Sequence, residues 1–215
     1  VQLIENFPSS VKVIGNKAFC KCFNFDTLNI LKDSKLKLIG NYAFTNAKIT
    51  NISNISNVEK IGEFAFSNCT ELEKVDFGVD SKLEIIEKGA FSNSHIINIL
   101  IPSQVSKIGQ FAFSNCLQLN TVNFSNDSIL TTFENSLFDN SAIEYLDVPS
   151  NICELENGWC FQTPCLKKLE LMPENQNFTI YDDFLLGKMD EDDEIYNSLV
   201  FANRNIKNVI IPSFI

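Results

Sequence analysis

Apolar and polar positions along the chain fall into one phrase that returns at a fixed beat. It reads Ile14-Gly15-Asn16-Lys17-Ala18-Phe19, then Ile39-Gly40-Asn41-Tyr42-Ala43-Phe44, then Ile61-Gly62-Glu63-Phe64-Ala65-Phe66. It recurs as Ile86-Glu87-Lys88-Gly89-Ala90-Phe91 and Ile108-Gly109-Gln110-Phe111-Ala112-Phe113, with degraded copies from Phe133 to Phe138 and from Leu155 to Phe161. The anchoring phenylalanines stand at 19, 44, 66, 91, 113, 138 and 161, in steps of 25, 22, 25, 22, 25 and 23 residues. A period in the twenties predicts a solenoid, in which each coil buries its apolar edge only by stacking on its neighbours.

A second phrase follows each anchor after five or six residues. The copies are Phe25-x-x-Leu28-x-Ile30, Leu72-x-x-Val75-x-Phe77, Ile96-x-x-Ile99-x-Ile101, Leu119-x-x-Val122-x-Phe124, Ile143-x-x-Leu146-x-Val148 and Leu166-x-x-Leu169-x-Leu171. Their last apolar positions alternate with polar ones, the signature of a short strand with one buried face. The copy Ile49-x-x-Ile52-x-Asn54 is imperfect, which predicts a shifted or frayed strand there. Pro102 and Pro149 follow their strands directly and end them, since proline cannot donate to a ladder. One strand per coil, always in the same direction, predicts a parallel sheet; the Ala-Phe segment is expected opposite it as a short helical or irregular turn. Glycines 15, 40, 62 and 109 are expected to permit a tight bend or a positive φ.

With the strand phrase followed by Ile-Gly-x-x-Ala-Phe-x-x-Cys, the chain resembles the BspA-like subclass of leucine-rich repeats, over roughly residues 1–172 and 205–215. The resemblance implies a right-handed leucine-rich-repeat solenoid of about eight coils, each of 22–25 residues. It also implies a surface protein of mucosal bacteria or parasitic protists that binds host matrix proteins or other cells. No catalytic residue and no cofactor belongs to the family pattern.

The alternation of long and short steps makes a pair of coils the unit. Cys22, Cys69 and Cys116 recur every 47 residues, and the intervening coils carry Ala47, Ser94 and Ser141 at that point. Two coils separate successive cysteines by about 9–10 Å. That exceeds the ~7 Å Cα limit of a disulfide, so these three are expected as small buried thiols. Cys20 should point away from this column. A bridge among Cys153, Cys160 and Cys165 stays open, whereas zinc is disfavoured because no Cys-x-x-Cys pair is present and the sole histidine, His95, lies several coils away.

Residues 173–204 break the beat. Phe178–Tyr181, Phe184–Leu186 and Ser198–Ala202 read as strands of a hairpin inserted in the last coil, with the tip Asp190-Glu191-Asp192-Asp193-Glu194. The tip lacks the central glycine and late glutamate of an EF-hand, so it is expected to be a solvated acidic loop rather than a calcium site. Ile206-x-x-Val209-x-Ile211-Pro212 is a complete strand phrase with no Ile-Gly-x-x-Ala-Phe after it, and no end cap is recognisable. The chain is therefore expected to be a fragment of a longer one, forming a single leucine-rich-repeat domain over 1–215.

Composition narrows the function classes. A net charge of −10 argues against nucleic acid and against unaided binding to an anionic membrane. No apolar run reaches the length of a membrane span, and the residues from Val1 read as a strand rather than as a signal peptide. Glycine-rich phosphate loops, Gly-x-Ser-x-Gly elbows and dinucleotide fingerprints are missing, and Ser94-His95 has no orienting third residue, so an enzyme is not expected. Trp159 reads as a packing residue replacing Phe64 or Phe111 before the anchor.

The expected site is the concave sheet face. Its outward residues are Asn29, Asn51 and Ser53, then Lys74 and Asp76, then Asn98 and Leu100. They continue with Thr121 and Asn123, Tyr145 and Asp147, and Lys168 and Glu170. Such a face displays many weak contacts over about 35 Å, which suits protein partners. N-glycosylation triplets occur at Asn51, Asn54, Asn68, Asn123, Asn126 and Asn177, two of them on this face. An intracellular scaffold for protein assemblies is the alternative, and self-association through uncapped ends is a third reading.

Overall fold

The computed structural model describes residues 7–24, 27–28, 30–188, 195–202 and 211. It is a parallel β-solenoid with two strands per coil rather than one. The first set is β1 (Val13–Ile14), β3 (Leu38–Ile39), β5 (Lys60–Ile61), β7 (Ile85–Ile86) and β9 (Lys107–Ile108), joined in that order. These strands lie on the Ile of the Ile-Gly phrase. Two residues are too few to show alternation, so the sequence pattern could not announce them. The same position continues as β11 (Thr132–Phe133) and β13 (Glu154–Leu155), a separate parallel pair.

The second set forms the seven-stranded sheet expected from the alternating phrase: β2 (Thr27–Leu28), β4 (Asn51–Ile52), β6 (Lys74–Val75), β8 (Asn98–Ile101), β10 (Thr121–Phe124), β12 (Tyr145–Val148) and β14 (Lys168–Leu171). The frayed copy is explained locally. Asn54 adopts a left-handed φ of 58° and is exposed, and Ile55 takes the buried place; β4 itself ends at Ile52, just as β6 with its intact phrase ends at Val75. The eighth strand phrase lies outside the described residues apart from Ile211, as does the acidic tip at 190–194.

No helix occurs among the described residues, so the Ala-Phe wall is the irregular alternative. Each turn places two residues in the left-handed region, four apart: Tyr42 and Asn46, Phe64 and Asn68, Gly89 and Asn93, Phe111 and Asn115. Repeated left-handed residues interrupt helical geometry. They send alternate N–H groups to the next coil: the Phe44 N–H reaches Ala65 O at 2.7 Å and the Phe66 N–H reaches Ala90 O at 2.7 Å. The glycines of Ile-Gly, expected to permit a tight bend or a positive φ, do not take positive φ, which falls two residues later. Gly62 is small for another reason: a Cβ there would lie 2.5 Å from Asn41 Oδ1 and 2.7 Å from Asn41 N.

The anchoring rings form one internal file. Phe19, Phe44, Phe66, Phe91, Phe113 and Phe138 stack with centroids 5.1, 5.1, 5.4, 5.6 and 5.9 Å apart. Burying each such side chain contributes about 1.5–3 kcal/mol, and each ring pair adds about 0.5–1.5 kcal/mol. The file does not reach Phe161, which is 54% exposed. The Phe138 N–H bonds to Trp159 O at 2.8 Å, as the Phe91 N–H does to Ala112 O, so Trp159 occupies the alanine position and buried Cys160 the anchor position. The indole fills the space left by the missing ring, lying 5.4 Å from Phe133 and 6.5 Å from Phe138.

Beyond β14, β15 (Phe178–Tyr181), β16 (Phe184–Gly187) and β17 (Ser198–Ala202) form a three-stranded antiparallel sheet rather than a simple hairpin. Phe178, Leu185 and Phe201 join the core, and Phe201 lies 5.9 Å from Trp159.

Candidate functional site

Sheet register assembles the outward residues into two rows. Thr27, Asn51, Lys74, Asn98, Thr121, Tyr145 and Lys168 are Cα partners from strand to strand along the whole seven-stranded sheet. In the second row Leu100 faces Asn123, and Asp147 faces Glu170. Ser53 and Asp76 sit just past the ends of β4 and β6, on the same side of the chain as that row. Asn29 lies outside the described residues. The strand burial patterns alternate exposed and buried, which fixes the inward set (Ile99, Val122, Leu146) and leaves the outward set in solvent.

Of the charged residues on this face Lys168 and Glu170 pair with each other, and Lys167 and Glu144 form a second pair beside it. Lys168 Nζ lies 2.5 Å from Glu170 on the same strand, and Lys167 Nζ lies 2.7 Å from Glu144 on the preceding coil. The hydrogen bonds that both lysines donate to these carboxylates raise their pKa values. Lys167 Nζ also sits 6.0 Å from the Tyr145 ring centroid. Asp76 accepts the Gly78 N–H at 2.9 Å, and the Thr121 hydroxyl donates to Asn120 Oδ1 at 2.8 Å. By contrast, the side chains of Asn98 and Asn123 and the Tyr145 hydroxyl make no hydrogen bond among the described residues. Leu100 and Tyr145 are 57% and 51% exposed. The face therefore offers an apolar and aromatic centre with unspent amide groups between charged flanks.

At the β14 end, an open groove of about 800 Å³ runs between this face and the antiparallel sheet. Its walls include Asp147, Glu170, Leu171, Met172, Asp182 and Phe184. No group of three or more His, Cys, Asp or Glu side chains that could hold a metal occurs among the described residues.

No hydrogen bond joins the Ser94 and His95 side chains among the described residues. Ser94 Oγ lies 3.4 Å from Cys116 Sγ inside the column, while the His95 N–H bonds to Cys69 O. Cys69 and Cys116 donate their thiol protons to Phe44 O and Phe91 O at 3.1 and 3.2 Å. All seven cysteines are free thiols, including Cys153, Cys160 and Cys165. Burial pushes Cys69 up to about 12 and Cys116 up to about 11, from an ordinary value of 9.0. Because the thiolate is the reactive species, alkylation of the native protein near pH 8 should modify exposed Cys153 and Cys165 and spare Cys69 and Cys116 until denaturant is added; peptide mass mapping checks this. Between 9.0 and about 11–12 the unfolded chain loses these protons while the folded chain keeps them. The stability tied to the neutral thiols is thus complete below 9.0 and declines as pH rises through that window.

The sequence reading missed a column of asparagines on the turn wall. Asn46, Asn68, Asn93, Asn115 and Asn140 all hold φ between 53° and 59°, and Asn140 Nδ2 donates to Asn115 Oδ1 at 2.8 Å. Asparagine tolerates the left-handed region better than other residues with a side chain. Its recurrence just before each column cysteine, serine or alanine was the available signal. One sequon, Asn68, belongs to this column rather than to the sheet face.

A stacked parallel sheet with an apolar file behind it and a solvated display face in front defines a leucine-rich-repeat solenoid. The chain belongs to the family described as the BspA type leucine rich repeat region, which matches in six copies over residues 4–116 and 84–185. Solved structures share the fold. A leucine rich cell surface protein from Faecalibacterium prausnitzii superposes with a TM-score of 0.70 at 22% identity, over 85% of this chain and 50% of that one. The pneumococcal vaccine antigen PcpA gives 0.66 at 22% identity, over 85% and 46%. A leucine-rich repeat protein from Bacteroides ovatus gives 0.60 at 25% identity, over 77% and 48%. The chain thus spans about half the length of these structures. No match to a curated protein was found.

Proposed function

We propose that this chain is a non-catalytic protein-binding module of a cell-surface protein that adheres to host cells or extracellular matrix through the outward face of the seven-stranded sheet. The observation that carries the reading is the pair of residue rows, in which Leu100, Asn123 and Tyr145 are exposed and the Asn123 side chain and Tyr145 hydroxyl make no hydrogen bond among the described residues. An exposed aromatic and an exposed aliphatic side chain on one face, two strands apart and flanked by charge, give that face the mixed apolar and polar character of a protein interface. Membership of the family and the surface location named for one structural neighbour support the cellular setting.

The test is binding of the purified protein to immobilised matrix proteins and to intact cells. Tyr145→Ala should weaken binding roughly 30-fold, the factor for a hot-spot loss of about 2 kcal/mol, while Lys82→Ala on another wall leaves it unchanged. Equal binding by both variants would remove the sheet face from the reading. Seven free thiols favour a second reading, an intracellular scaffold in a reducing compartment. Labelling of intact host-native cells separates the two, since a protein reached only after permeabilisation is no adhesin.

A further inference from the structure

Four coils carry asparagine at one and the same turn position: Asn16, Asn41, Asn135 and Asn157. Each precedes a left-handed residue, with φ of 59° at Lys17, 57° at Tyr42, 54° at Ser136 and 74° at Gly158. The backbone is thus shared, and the four sites differ in how they are held.

Asn16 Oδ1 accepts the Asn41 N–H at 2.8 Å, and Asn41 Oδ1 accepts the Glu63 N–H at 3.0 Å. The N–H groups that follow are also held, Lys17 by Asn41 O at 2.9 Å and Tyr42 by Glu63 O at 2.8 Å. Asn135 Oδ1 accepts the Ser136 hydroxyl at 2.7 Å. At Asn157 every one of these restraints is missing. Its carboxamide and the Gly158 N–H make no hydrogen bond among the described residues, and both residues are exposed. Gly158 also lacks the Cβ that hinders approach to its nitrogen at the other three sites.

We propose that Asn157-Gly158 is a spontaneous deamidation site, a covalent time mark set into the seventh coil. The Gly158 backbone nitrogen gives up its proton and attacks Asn157 Cγ, forming a C–N bond. The Cγ–Nδ2 bond breaks and ammonia departs with that proton, leaving a cyclic succinimide. Water then opens the ring. Cleavage of the new C–N bond yields aspartate, and cleavage at the main-chain carbonyl yields isoaspartate, with the chain rerouted through the side chain.

Either product places a carboxylate beside Glu154 and Glu156. Isoaspartate also lengthens the chain by one carbon two residues ahead of Trp159, whose indole packs at 5.4 Å from Phe133 and 5.9 Å from Phe201. The consequence is a loosened end to the aromatic core, reported by the only tryptophan in the protein.

The experiment is timed incubation of the native protein at mildly alkaline pH, read by peptide mass spectrometry and by isoaspartate content at each site. Asn157 should convert at least about tenfold faster than Asn16, Asn41 or Asn135, and within about tenfold of its own rate in denaturant. Gly158→Ala should slow it by about tenfold. The isolated isoaspartate form should show red-shifted tryptophan emission. Retention of the Asn157 amide in the native protein while the unfolded chain converts would overturn the proposal, as would equal rates at all four sites. Unchanged emission from the isoaspartate form would overturn the link to Trp159.

Discussion

Phe91→Ala is expected to cost about 3–5 kcal/mol, read as a lower urea midpoint at unchanged slope. The ring has no solvent exposure, stacks at 5.4 Å on Phe66 and at 5.6 Å on Phe113, and meets the edge of Phe77 at 6.5 Å. Its removal leaves a void between two coils that the flanking strands cannot close, because inter-coil hydrogen bonds fix their spacing. Phe161→Ala provides the contrast. That ring is 54% exposed, so its loss should stay within about 0.5 kcal/mol. Equal losses at the two positions would mean that the aromatic file runs on past Phe138, against the packing seen here.

Gly62→Ala should cost about 1–3 kcal/mol through overpacking. The added carbon would lie 2.5 Å from Asn41 Oδ1 and 2.7 Å from both Asn41 N and Gly40 C. Two of these three atoms are backbone of the preceding coil, so relief requires the coils to part. The side-chain atom is the acceptor of the Glu63 N–H, and losing that bond adds about 1 kcal/mol. Gly15 stands in the same phrase with nothing within 4 Å of its Cβ direction, so Gly15→Ala should be neutral or mildly stabilising. Thermal or urea unfolding of both variants checks the difference. If they behave alike, close approach of coils is not why glycine recurs there.

The same glycine position shows how far the sequence could be read. A recurring Ile-Gly suggested a backbone need, and the need is real. The cause is proximity of the preceding turn of chain, which no local pattern reports. Where Glu replaces the glycine, the structure supplies another solution: Glu134 Oε2 accepts the Gln110 N–H at 2.9 Å and Glu156 Oε2 accepts the Asn135 N–H at 2.7 Å. Asparagine from the coil before or glutamate from the coil after thus satisfies the same donor. Trp159 is a similar case. Spacing alone favoured Phe161 as the anchor, and only packing reveals that the larger ring two residues earlier fills the space beside Phe133 and Phe138.

The candidate face was legible because a strand's period of two assigns each residue to a side before any coordinates exist. Twelve of the thirteen expected face residues lie on or beside the described strands on the outward side, and Asn29 lies outside the described residues. Which of them remain free to bind was not legible. Lys168 and Glu170 are bound to each other, whereas the Asn98 and Asn123 side chains and the Tyr145 hydroxyl make no hydrogen bond among the described residues.

By itself the sequence determined the stacking: a repeated apolar beat of 22–25 residues leaves every coil with an edge that only another copy can cover, so order along the chain becomes order in space. The tertiary structure alone decided the second row of strands, the left-handed turn wall and the point where the phenylalanine file ends. Those features depend on contacts between coils more than twenty residues apart, where the separation of neighbouring backbones, rather than any local preference, sets what each position can hold.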